Sequence, residues 1–364
     1  MSSRFETIDP RLAAPVSEIY VVPDERAGIE LDEFLCLTLP QLSKGFIRRQ
    51  VNSGKVLVDG QPAHHASQRL RREQVVIVEI DEEEWPGAPV APRLTLPILY
   101  EDPEVLVVDK PSGLAVEPER WLRENATIAG ALLEIAIERA GGRDEHGRPA
   151  EGALEFRPRI VHRLDKETSG ALLVAKTLEA ERQLRQAFEH GLVRKRYLAL
   201  VEGEFPTEPP ERLIDLPVAP DPRKSGRMCV DEREGKPSQT RVGVVERFRG
   251  YTLLCCEPLT GRTHQIRVHL SELGFPLAVD PVYGRRRALL LSEIKRDFRP
   301  KAGRTETALI ARLTLHAARL DFPRISRERV ALPPDALRVC VDAPLPKDFM
   351  LALRQLGKVR PARA

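Results

Sequence analysis

The chain has few of the residues that announce a cofactor, a disulfide scaffold or a membrane anchor. Its 364 residues include five cysteines, Cys36, Cys229, Cys255, Cys256 and Cys340, with no C-x-x-C pair and no metal-like spacing to histidine. That pattern argues against a disulfide framework and for reduced thiols in a cytosolic protein, packed as small apolar side chains. No apolar run approaches the length of a membrane span. The opening MSSRFETIDP has neither the basic nor the apolar region of a signal peptide, so a soluble, cytoplasmic protein without membrane contact is expected.

Phosphate-binding signatures are missing too. Neither a Walker A loop nor G-x-G-x-x-G occurs, and His264 and His269 stand five apart, wrong for an i,i+4 zinc pair. The run HRLD at 162–165 does not fit a kinase catalytic loop, because Leu164 breaks the order H-R-D and no D-F-G follows. No serine or cysteine sits in a recognisable nucleophile elbow. The expectation is a site with no cofactor and no metal.

What is present is a soluble composition, 42% hydrophobic and 30% charged, with 31 prolines that predict many turns and at least one linker. A net charge of only +3 does not by itself demand a nucleic-acid partner, so the clustering of charge has to decide. After a tail over 1–17, a small domain is expected over 18–81. Leu31, Phe34, Leu35 and Thr38/Leu39 recur at helical spacing up to Pro40. Ser43 reads as the N-cap of a second helix, KGFIRRQVNS, ended by Gly54. The strand KVLVDGQPA turns at Asp59-Gly60, and QVVIVEI is another strand. Lys44, Arg48, Arg49 and Lys55 lie on and just after the second helix, and Arg69, Arg71 and Arg72 precede the last strand. A lone charge run is usually a solvated face, but two basic groups on one helix–hairpin unit suit a surface that tracks phosphates.

The acidic, then proline-rich stretch 82–97 reads as a linker. From 98 to 350, hairpins and helices mix irregularly, so an α+β fold with a mixed, largely antiparallel sheet is expected. A basic tail, 351–364, would close the chain. In this larger part Asp165 stands in the turn-rich loop VHRLDKETSG, where a turn or cap role is the plain reading of an isolated aspartate. Arg262 precedes a helix predicted to be capped by Thr263, where a guanidinium can hold a carboxylate ionised and aimed. Tyr197 follows Arg194, Lys195 and Arg196 at the head of a strand. It is either packing or a stacking surface beside phosphate-binding cations. Lys110-Pro111-Ser112-Gly113 is a tight turn.

Two resemblances join these pieces. Residues 28–80 resemble the S4 RNA-binding domain, with Glu30 where that family commonly has a basic residue. Residues 98–350 resemble the RluA-type pseudouridine synthases through KPSGL, HRLDKETSG, KRYLALVEG, GRTHQIRVHL, LAVDPVYG and LHAARLDFP. Glu117 departs from the family's usual histidine. The resemblance implies an isomerase that converts uridine in RNA, most often large-subunit ribosomal RNA and otherwise transfer RNA, without cofactor. It implies catalytic roles for Asp165, Tyr197 and Arg262, and substrate contacts from Arg163, Lys110, Ile266 and Arg196. RNA-phosphate contacts would come from Lys44, Arg48, Arg49 and Lys55, and from Arg285, Arg286 and Arg287 in the basic stretch 285–304. That stretch reads equally as a solvated helix. The alternatives are a non-catalytic S4-type RNA-binding or ribosome-assembly factor and, weakly, a glycosidase pairing Asp165 with Glu167. A monomer is expected, since no coiled-coil heptad is evident.

Overall fold

The computed structural model describes residues 16–22, 26–39, 42–72, 74–80, 96–116, 127–139, 141, 159–299, 305–326 and 337–362. Pro40, Glu117, most of the expected linker and residues 300–304 of the basic stretch lie outside these. The described residues form two compact units, 16–80 and 96–362.

In the first unit, strand β1 (Val16–Val21) is followed by helices α1 (Leu31–Thr38) and α2 (Lys44–Asn52). Strands β2 (Val56–Val58), β3 (Gln61–Pro62) and β4 (Val75–Ile80) then complete an antiparallel sheet of order β1-β4-β2-β3. The Ser43 hydroxyl accepts from the Phe46 amide at 3.1 Å, the N-cap expected for α2. Asp59 and Gly60 both have positive φ, 53° and 76°, as a two-residue hairpin turn requires. Phe34, Leu35, Ile47, Val51, Val56 and Val76 are buried together, so the helices cover one face of the sheet.

The second unit begins with β5 (Ile98–Glu101), β6 (Val105–Lys110), α3 (Ile128–Arg139), β7 (Arg159–Ile160), β8 (Ser169–Ala175), α4 (Leu178–Glu189) and β9 (Arg194–Glu202). It continues with β10 (Glu211–Asp215), β11 (Val218–Pro220), β12 (Met228–Val230), β13 (Gln239–Phe248), β14 (Tyr251–Pro258) and α5 (Gln265–Glu272). The short α6 (Leu291–Ile294), β15 (Leu315–Pro323), β16 (Arg338–Asp342) and α7 (Lys347–Val359) close it. The main sheet has the order β10-β13-β14-β9-β15-β8-β6-β5, with β16 on β15 and β7 on β8. Every pairing is antiparallel except β15 with β8, which makes the mixed, largely antiparallel α+β fold expected from the irregular alternation. β11 and β12 form a separate hairpin.

Alternation along the strands builds two layers. Leu106, Val108, Leu172 and Val174 enter one core with α3 and α5, while Val105, Val107, Leu173 and Ala175 enter the other with α4. At the sheet centre Gly170 of β8 opposes Ala317 of β15, which in turn opposes Tyr197 of β9. Gly170 has φ +114°, and a Cβ there would lie 2.3 Å from the Ala317 carbonyl oxygen, so only glycine fits.

Two expectations are corrected. The supposed basic tail 351–364 largely belongs to α7, whose Phe349, Ala352 and Leu356 are buried against Phe248, Ile294 and Leu289. Its apolar residues recur at helical spacing, which outweighs the basic composition. The 285–304 stretch is likewise not a purely solvated helix. Leu289 and Ile294 are core residues, and Arg286 pairs with Glu202 at 2.9 Å and Glu293 at 3.3 Å rather than standing free for phosphate.

Candidate active site

The site grows from the loop that precedes β8. Lys110, at the end of β6, is fully buried and donates to the carbonyls of Pro111, Lys166 and Thr168 at 2.8, 2.8 and 2.7 Å. Three donors meet three acceptors, so the ammonium is satisfied without a carboxylate. Burial lowers its pKa to about 8, which leaves it charged at neutral pH. Ser112 donates to the Glu167 carbonyl at 2.6 Å, and the Gly113 amide to that of Lys166 at 2.9 Å. The Lys110–Gly113 turn is thus the mould of the Asp165 loop. Lys110 itself does not line the cleft above it, which corrects its expected place as a substrate contact.

The loop is anchored on both flanks. His162 accepts from the Leu173 amide at 2.9 Å, and burial holds its pKa down to about 3. Ser169 bonds the buried His316 at 2.9 Å and accepts from Arg312 at 3.0 Å, while Arg312 grips Asp348 of α7 at 2.8 and 2.9 Å. Leu164 is buried between them in the core. Asp165, partly exposed, therefore projects from a loop held on both sides.

It projects into a cleft of about 850 Å³ whose lining includes Arg163, Arg194, Lys195, Arg196, Tyr197, Arg241, Arg262, His264, Ile266 and Arg267. Three acids, Asp165, Glu211 and Glu257, share the lining, so cations predominate, as a polyanion requires. Arg196 pairs with Glu257 at 2.5 Å, and Arg241 reaches the same carboxylate at 3.3 Å. Tyr197 forms part of the cleft wall and packs with Leu164, Ile266 and Leu315. Burial, with the Asp165 charge nearby, raises its phenol above the usual range, so the hydroxyl stays protonated at neutral pH.

The guanidinium on Asp165 belongs to Arg267, not Arg262. Arg267 Nη1 donates to Asp165 Oδ2 at 3.2 Å, while its Nε and Nη2 hold both oxygens of buried Asp280 at 2.8 and 2.9 Å. Burial opposes the Arg267 charge, yet Asp280 and Asp165 together keep its pKa above the usual value. Arg262 is exposed on the rim, and its Nε faces the Pro237 carbonyl at 3.3 Å. The correction follows from the helix start. Position 264, not Thr263, is the N-cap of α5, and His264 adopts a left-handed φ of 55°. Gln265 then plugs inward, accepting from the Arg262 amide and the Thr260 hydroxyl and donating to the Gln239 carbonyl and Thr240. Residues 260–262 stay outside, and the first arginine to enter the protein is Arg267, one turn into α5. Its signal in the sequence was an arginine flanked by the apolar positions Ile266, Val268 and Leu270, where a charge survives only when paired. His269 is structural, bonded to Thr240 and the Leu216 carbonyl.

In the first unit, Lys44 and Arg48 both reach the buried Asp32, at 3.2 and 2.9 Å, and Arg49 lies over the Phe46 ring at 5.6 Å. Lys55 is half-buried at the start of β2. Lys44, Arg48 and Arg49 remain exposed on one helix, as a phosphate-tracking face requires, with Asp32 fixing two of them. Among the described residues no cluster of three or more metal-ligating side chains occurs, and no helix is long and apolar enough to cross a membrane.

A cleft in which cations outnumber acids, lined by a carboxylate held by Arg267 and by a buried tyrosine, suits an anionic substrate, and the family comparisons give its class. Residues 104–272 match the model of the RNA pseudouridylate synthase family, and residues 31–76 match the S4 domain. The chain belongs to that family and is an RNA pseudouridine synthase, an isomerase. It is 38% identical to the ribosomal large subunit pseudouridine synthase D of Nitrosomonas europaea over 72% of this chain and 71% of that one. Proteins of the same name from Neisseria meningitidis serogroup B and Pseudomonas aeruginosa are 34% and 33% identical, covering 90% and 94% of this chain and 79% and 96% of theirs. Among solved structures it is similar to human RNA pseudouridylate synthase domain containing 1. The TM-score is 0.46 at 26% identity, over 74% of this chain and 98% of that one.

Proposed function

We propose that the protein isomerises specific uridines of large-subunit ribosomal RNA, in the cytoplasm and as a monomer, with Asp165 as the catalytic carboxylate. The observation that carries the role of Asp165 is its clamp: Arg267 donates to the carboxylate at 3.2 Å and aims it into the cleft, and the Lys110 turn fixes the loop beneath it. The name shared by the relatives supports the ribosomal substrate.

The reaction breaks the N1–C1′ bond, turns the base and joins C1′ to C5, so the C5 proton leaves and N1 gains one. Atoms and charge balance without an added group. An ionised carboxylate serves this either as a nucleophile, at the ribose or the base, or as a base that assists elimination. A stacked uridine is out of reach of Asp165, so the nucleotide has to be flipped out, at a cost of a few kcal/mol. Stacking on the Tyr197 ring returns about 1–3 kcal/mol. Tyr197, fixed in the cleft wall, offers its ring as the platform for the flipped base. Arg163, Arg194, Arg196 and Arg262 line the route for the flanking phosphates, and the S4 unit adds Lys44, Arg48, Arg49 and Lys55.

The test is pseudouridine mapping of ribosomal and transfer RNA from cells with and without the gene. Loss at defined large-subunit uridines is expected. Loss confined to transfer RNA, or no loss, would overturn the substrate. Sedimentation showing a dimer would overturn the monomer.

A further inference from the structure

Beside the Arg267 clamp stands a second arrangement that the reaction has not yet used. The Tyr283 hydroxyl lies 2.9 Å from His264 Nδ1 and accepts from the Met228 amide of the β11–β12 hairpin at 2.8 Å. Its ring lies near two guanidinium groups, Arg227 at 5.4 Å and Arg267 at 5.0 Å, and meets the His264 ring edge-on at 5.5 Å. The backbone of this turn is fixed as well, since Asp280 Oδ1 accepts from the Val282 and Tyr283 amides at 2.8 and 3.1 Å. Tyr283 therefore has little freedom to turn away from His264.

The proton count of this contact decides the histidine tautomer. A phenol has one proton, and one of its lone pairs is occupied by the Met228 N–H. Donation of that proton to His264 Nδ1 leaves the imidazole hydrogen on Nε2. The other tautomer would make the phenol accept twice, leaving its own proton unplaced, and would aim the Nε2 lone pair at a carboxylate. His264 Nε2 lies 3.9 Å from Asp165 Oδ2, beyond a hydrogen bond but facing it. Contacts of this kind commonly tighten when substrate closes a site. Burial lowers the His264 pKa, so the neutral ring is the form present at neutral pH.

We propose that His264 and Tyr283 are a positioning pair. The Tyr283 hydroxyl, held by the hairpin through Met228, fixes His264 Nε2 as a second N–H donor for the Asp165 carboxylate beside Arg267. The inference rests on the catalytic role of Asp165 given above. It makes the orientation of the acid depend on two donors from opposite ends of one helical turn, and it gives the β11–β12 hairpin a part in the chemistry as well as in the fold.

The left-handed backbone at His264 supplies a discriminating experiment. Asparagine tolerates φ 55° better than glutamine, but its amide reaches only the position of Nδ1, whereas the glutamine amide reaches that of Nε2. Single-turnover rates at saturating RNA are measured for His264→Gln, His264→Asn, Tyr283→Phe and Asp165→Asn, with RNA affinity measured separately. The pair predicts a fall of about threefold for His264→Gln and of about tenfold or more for His264→Asn and Tyr283→Phe, with affinity within about twofold of wild type. Nitrogen-15 spectra of the imidazoles should show the His264 proton on Nε2 in the wild type and a mixture in Tyr283→Phe. If His264→Asn equals or exceeds His264→Gln, or the proton sits on Nδ1, the pair is overturned while an inactive Asp165→Asn leaves the catalytic reading standing. An Asp165→Asn protein as fast as wild type overturns that reading, and the pair with it.

Discussion

Arg267 binds two carboxylates at once, Asp280 with two parallel bonds of 2.8 and 2.9 Å and Asp165 with a single bond of 3.2 Å. The tighter, buried pair sets the guanidinium plane, and the looser bond leaves Asp165 able to move during a reaction. Lysine keeps the charge but loses the fork that reaches both acids. Arg267→Lys should lower the single-turnover rate by about 10²-fold, with RNA affinity little changed. Rapid-quench assays paired with filter binding check this.

Arg262 should behave in the opposite way. It is exposed on the cleft rim, so Arg262→Ala should weaken RNA binding more than it slows the step at saturation. The slope of log affinity against log salt should become shallower by about 0.7 if the RNA lies single-stranded there. Titrations over a salt series measure it.

Lys110→Met removes the buried ammonium from three carbonyls; that of Lys166 keeps the Gly113 amide, while those of Pro111 and Thr168 lose this donor. Each buried unmet acceptor costs about 1–3 kcal/mol, so a loss of about 2 kcal/mol or more is expected in urea unfolding. A stable, active Lys110→Met protein would show that the turn does not depend on its lysine.

Acid should destabilise the second unit before the carboxylates titrate. Burial depresses His162 to about 3 and His316 to about 4, below the value near 6.5 of an unfolded histidine. The unfolded chain then binds more protons between about pH 6.5 and 3, so stability is full above that window and falls as the pH drops through it. Unfolding midpoints between pH 7 and 4 check the slope, and His316→Gln should flatten it.

Much of this architecture is legible in the residues themselves. The Ser43 cap, the Asp59-Gly60 turn and the apolar strand runs around Leu172 and Leu254 follow from local chemistry, which a sequence displays directly. The loop of Asp165 alone reads as a turn or cap; its catalytic role is legible only from HRLDKETSG taken with KPSGL, KRYLALVEG and GRTHQIRVHL. What the chain does not display is which of two arginines five apart turns inward. Gln265 decides that, through bonds to Gln239 and Thr240, some 25 residues earlier in the chain. Lys110 misled for the same reason: its three acceptors include carbonyls of Lys166 and Thr168, distant in sequence. The helix over 347–359 was masked by its basic residues, although Phe349, Ala352 and Leu356 mark a buried stripe.

Asp165 is the group proposed to perform the isomerisation. Making a C1′–C5 bond expels the C5 hydrogen, so the direct measurement is tritium release from [5-³H]uridine-labelled large-subunit ribosomal RNA by purified wild-type and Asp165→Asn proteins. Release by the wild type, and none above background by a folded, RNA-binding Asp165→Asn, is the predicted result. Equal release by the two proteins would show that Asp165 is not the catalytic group.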